Sequence, residues 1–136
     1  MREILFRGKT LLGKWIEGDL LNYLGYGKVH IVQHYLGAGG QEVIPETVGQ
    51  YTGLTDKNGK KIFEGDIVAY GTNTTRATCK EFHEVVFETR GGSAYFGIKI
   101  SDVETWQFCL EVPAKLMEII GNIHDNPELL KGGGEG

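Results

Sequence analysis

Glu64 and Asp66 stand two apart in "KIFEGDIVAY", residues 61–70. On a regular strand that spacing turns both carboxylates to one face. Such a pair could hold a divalent cation through oxygen ligands, or act as an acid and a base. With His124 converging on them, they would make a metal-assisted hydrolase. The bland reading is that Gly65 marks a corner or bulge, which the acids shape while facing solvent. Asp56 opens "DKNG", residues 56–59. An aspartate there is expected to bond the N–H groups of its own turn.

Other candidates are weaker. Cys79 and His83 are four apart in "CKEFH", and His124–Asp125 could join them. A second closely spaced ligand pair, the mark of structural zinc, is missing. A cysteine–histidine nucleophile pair is conceivable, but catalytic partners are usually distant in the chain. In a reducing compartment Cys79 and Cys109 are expected to be thiols rather than a disulfide. "GAGG", residues 37–40, lacks the Lys-Ser/Thr of a phosphate loop. Trp15, Tyr51 and Tyr70 could stack on single-stranded bases, as could Tyr23, Tyr26, Tyr35 and Tyr95. Tyrosines in strands more often pack at a core edge with the hydroxyl in water. No cofactor or metal is expected.

The elements that must position these residues are short. Twenty-one glycines and three prolines in 136 residues favour turns and bulges over long helices. Strands are expected at residues 4–6, 14–21, 29–35 and 62–70, with extended chain at 43–45 and 50–54. Trp15 and Glu17 share one face of theirs, Ile16 and Gly18 the other. Residues 84–89 and 94–100 read as a hairpin across "RGGS", with Tyr95, Gly97 and Lys99 on one face and Phe96, Ile98 and Ile100 on the other. Residues 103–112 extend the sheet. Residues 115–120 read as a strand or one helical turn. "DNPELL" starts a short helix, with Asn126 at the cap and Pro127 at the first helical position. "WIEGDLL" and "IFEGDIV" echo one another and read as two strands kinked at Gly18 and Gly65. The fold class is mainly β: several short antiparallel strands in a small barrel or sandwich, with a short C-terminal helix. A single domain over 1–131 and a disordered Gly-rich tail over 132–136 are expected.

Net charge is −4. Lys57, Lys60 and Lys61 cluster, but no basic run suits a duplex, so nucleic acid is possible yet not favoured. No stretch approaches the ~20 apolar residues of a membrane span, and the first ten residues lack a signal-peptide core. A cytoplasmic protein with no membrane partner is expected.

"ETVGQYTGLTDKNGKKIFEGDIV", residues 46–68, followed by "IIGNIHDNPELL", residues 119–130, resembles the YopX family of phage and prophage proteins. "FRGK" and "KWIEGDLL" are similar to that family's opening hairpin; residues 71–113 carry no matching signature. The resemblance implies a mostly β protein encoded in phage genomes, and no known activity or ligand residues. The function expected is that of a non-enzymatic binding or assembly protein, acting as a homo-oligomer on an unknown phage or host protein. The alternatives are a small barrel binding single-stranded nucleic acid and the metal-assisted hydrolase.

Overall fold

The computed structural model describes residues 3–22, 27–33, 39–70, 81–101, 104–108 and 113–130. Tyr23, Tyr26, Tyr35, both cysteines, "GTNTTRATCK" and the tail 132–136 lie outside the described residues. The chain divides into two compact units, Met1–Gly53 and Leu54–Gly136.

The first unit holds β1 (Phe6–Lys9), β2 (Trp15–Asn22), β3 (Val29–Val32), β4 (Gln41–Val43) and most of β5 (Gly49–Thr55). Their order is β4-β3-β2-β1-β5. The pairings β1–β2, β2–β3, β3–β4 and β1–β5 are all antiparallel. Ile16, Ile31 and Val43 are buried together, with Leu20, Val29 and Val48 against them. A bridge from Thr10 to Val43 draws β4 toward the end of β1. The sheet nevertheless stays open among the described residues. Between β4 and β5 lies a 3₁₀ turn, Pro45–Thr47, where the sequence suggested only extended chain.

In the second unit the end of β5 turns through residues 56–60 into β6 (Lys61–Phe63). A five-stranded sheet follows, ordered β10-β9-β8-β7-β11. Its members are β7 (Asp66–Tyr70), β8 (Glu81–Arg90), β9 (Ser93–Ser101), β10 (Glu104–Gln107) and β11 (Glu118–Asn122). The β8–β9 hairpin turns on Gly91 and Gly92, both at positive φ (57° and 86°), which a primed two-residue turn requires. The core gathers Ile62, Val68, Val85, Ile98, Phe108, Ala114 and Met117, with Phe96, Ile100, Trp106 and Ile119 at its margin. The expected alternation of residues 95–100 is therefore found.

The mainly β, antiparallel reading holds, while neither sheet closes into a barrel among the described residues. Residues 115–120 prove to be both of the expected alternatives in succession: a 3₁₀ turn over Ala114–Leu116, then β11. Residues 128–130 are helical, as "DNPELL" implied.

Candidate functional site

Residues 62–70 are not one strand. β6 ends at Phe63 and β7 begins at Asp66. Glu64 and Gly65 form the turn between them, with Gly65 at φ +93°. A regular two-residue alternation across Gly65 is lost, so the shared strand face expected for Glu64 and Asp66 does not exist. At this corner the chain leaves β6, placed in one sheet order, and enters β7, placed in the other. The corner is secured from three sides. The Phe63 N–H donates to Asp66 Oδ2 at 2.7 Å. The Gly65 N–H donates to the Val85 carbonyl, and its own carbonyl accepts from the Ile123 N–H, both at 2.9 Å. Asp66 is 2% exposed.

Asp56 is 3% exposed. Its Oδ1 accepts from the N–H groups of Asn58 and Lys60, both at 2.9 Å. Its Oδ2 accepts from the Ile119 N–H, 63 residues away, at 3.0 Å. Burial alone would raise its pKa. The hydrogen bonds from Ile119, Lys60 and Asn58, with the Lys60 charge, outweigh burial and hold the carboxyl below the ordinary aspartate value. Beside it the Lys57 N–H reaches the Met117 carbonyl at 2.9 Å, and Lys57 Nζ lies 3.4 Å from Glu118.

The C-terminal motif is a second knot of the same kind. Asn122 Oδ1 accepts from the N–H groups of His124 and Asp125. Asn126 does not reach forward as expected of a helix cap. Its Oδ1 turns back to the Asn122 N–H at 3.3 Å. A side chain on Gly121 would collide with it. Asn122 pairs with Asp66 in the β11–β7 ladder, so His124 lies just beyond the Gly65 corner. Sequence reading placed Asp56 in its turn. It missed Ile119 as its long-range partner, and missed the Asn122–Asn126 pair, whose signal was two asparagines four residues apart.

Of the proposed binding residues, Trp15 and Tyr51 belong to the first unit, and Glu64, Asp66, Tyr70 and His124 to the second. Tyr51 is 8% exposed, too covered for a base to stack on it. Trp15 is half-buried and carries the Arg7 guanidinium over its ring at 4.9 Å. Tyr70 is half-buried at the edge of the second core. Among the described residues no group of three His, Cys, Asp or Glu is placed to hold a metal ion. Glu84 and Glu64 are close enough to repel. Burial raises the Glu84 pKa, Lys99 lowers it, and Glu64 raises it further, for a net upward shift.

These features define a class: an open-sheet, all-β protein whose patterned acids hold backbone at its corners. The profile of the YopX family, described as "YopX protein", matches residues 5–131, and the chain belongs to that family. The crystal structure of protein EF1440 from Enterococcus faecalis is similar at 26% identity and a TM-score of 0.52, covering 96% of this chain and 99% of that one. No curated protein matches the sequence. No helix among the described residues is long and apolar enough to cross a membrane.

Proposed function

We propose that this chain is a prophage-encoded protein of the bacterial cytoplasm that works by binding other macromolecules, as a homo-oligomer, and not by catalysis. The observation that carries the reading is the placement of Asp56 and Asp66. Both carboxylates are buried and accept main-chain N–H groups, so the most patterned acids of the chain serve its corners. A general acid or base has to reach a reacting atom, and a buried carboxylate holding a turn is poorly placed for that. Self-association is supported by the place of β10 at the end of its sheet among the described residues, since the backbone groups of an edge strand can pair with another copy.

Light scattering on the purified protein, over a range of concentrations, tests the oligomer. A particle mass that is a multiple of the chain mass is expected, and a monomer at the highest concentration ends that part of the reading. The non-catalytic part is tested by metal analysis and by Glu64→Gln, which should leave metal content and behaviour unchanged. A bound divalent ion lost in the variant would overturn it.

A further inference from the structure

The β1–β2 hairpin carries a feature that folding does not require. Its tip is residues 10–14, Thr-Leu-Leu-Gly-Lys. Leu12 is 98% exposed and Leu11 62% exposed. Tight turns ordinarily carry polar residues, and an isolated surface leucine needs no explanation, but two adjacent ones at a hairpin tip do. The turn that displays them is firmly built. The Thr10 N–H donates to the Lys14 carbonyl at 2.8 Å, and the Gly13 N–H to the Thr10 carbonyl at 2.9 Å. The Lys14 N–H donates to Thr10 Oγ1 at 3.1 Å. Gly13 takes φ +89°, and Thr10 is buried against its bridge to Val43. The Lys9 N–H is held by Thr47 Oγ1 at 2.9 Å.

Charge is graded along this hairpin. Lys9 and Lys14 flank the leucine tip. Next comes Trp15, with Lys9 Nζ at 5.9 Å and Arg7 at 4.9 Å from its ring centre. Farther back Arg7 faces Glu17, and Asp19 follows on the same face. Near the base, Glu46 lies in the Pro45–Thr47 turn. Leucines at the end, then lysine and tryptophan, then arginine opposite a first acid and further acids behind, follows the order of polarity met on passing from lipid acyl chains through anionic headgroups into water.

The geometry points to the Leu11–Leu12 tip as a wedge that docks the protein on an anionic lipid surface. The leucines enter the acyl boundary, and Lys9 and Lys14 meet the phosphates. A second copy docking tip to tip is disfavoured, because it would bring the two lysine pairs together. A convex tip on a protein partner would need a matching socket, whereas a bilayer interface needs none. The sequence expectation of no membrane partner rested on the absence of a span; surface docking requires no span. The inference is independent of whether the protein self-associates.

The test is flotation of the purified protein with vesicles. One set is phosphatidylcholine alone; the other is equal parts phosphatidylcholine and phosphatidylglycerol. The protein should float with the second set and not the first, and added salt should weaken the binding. Leu11→Ser/Leu12→Ser should reduce binding about tenfold or more, the loss expected when two leucines no longer leave water. Because Leu12 is almost fully exposed, the variant should unfold as cooperatively as the parent; Leu12→Ser alone serves if it does not. Lys14→Glu should also lose binding. No flotation with the anionic set, equal flotation with both sets, or unchanged binding by the leucine variants would each overturn the proposal. The first of those outcomes would leave an acidic protein surface as the tip's partner.

Discussion

Asp56 and Glu84 are two carboxylates whose surroundings push them in opposite directions. For Asp56 the folded pKa lies below the unfolded one. Its stabilising contribution is therefore complete above the ordinary value of 3.8 and is lost as pH falls through the lower folded value. Asp56→Asn removes the charge and leaves one acceptor oxygen for three N–H donors. It should cost about 1–3 kcal/mol at neutral pH in urea unfolding, with the gap to the parent narrowing in acid. A gap of constant size at every pH would show that the charge contributes nothing. Glu84 has the reverse sign. Its folded pKa is raised above 4.5, so the ionised form is a cost to folding above that pH, and the cost disappears on acidification. Glu84→Gln should therefore be neutral or stabilising at neutral pH, by about 0.5 kcal/mol or less for a half-exposed side chain. Marked destabilisation would mean that its attraction to the Lys99 charge outweighs burial and the repulsion from Glu64.

At the scale of elements, legibility in the sequence followed the range of the interactions. The β8–β9 hairpin was readable because Gly91 and Gly92 announce the turn and residues 95–100 alternate cleanly. The Asp56 turn was readable because its donors are two and four residues away. Ile119, the third donor, is not announced by anything local. At Gly65 the sequence leaves open a corner between strands and a kink within one, because both present Gly beside an acid, and the structure has the corner. The "EGD" echo misled for the same reason. Gly65 is a positive-φ corner with a buried aspartate, whereas Gly18 lies within continuous β2 beside an exposed Asp19. Gly18 is required for a different reason: a Cβ there would run into the Val32 carbonyl of the neighbouring strand. Backbone cannot yield as a side-chain end can, so Gly18→Ala should cost about 3 kcal/mol or more. Gly59, at φ +81° with open space around it, suffers only conformational strain. Gly59→Ala should cost about 1–2 kcal/mol. Thermal unfolding of the two variants should rank them in that order, and the reverse order would mean that β2 and β3 separate at little cost.

For the whole molecule, the two units differ in how much apolar surface each can hide. Among the described residues, the cluster of Met1–Gly53 has three buried side chains, Ile16, Ile31 and Val43, while that of Leu54–Gly136 has seven. A segment of some 50 residues buries a smaller share of its surface than a longer one, and so few buried aliphatics leave it marginal without disulfides, metals or partners. The second unit adds non-local pins to its larger core: Asp56 to Ile119, Lys57 to Met117 and Gly65 to both Val85 and Ile123. Each joins segments far apart in sequence, so together they should make its unfolding a concerted event. Expressed alone, residues 54–136 should keep dispersed amide resonances and a cooperative urea transition. Residues 1–55, which retain the whole of β5, should show neither. If the N-terminal piece folded cooperatively by itself, its small aliphatic cluster would be sufficient, and the ranking of the units by buried core would be wrong. Should both pieces fail, the pins of the second unit would be a consequence of the intact chain's fold rather than a source of its stability.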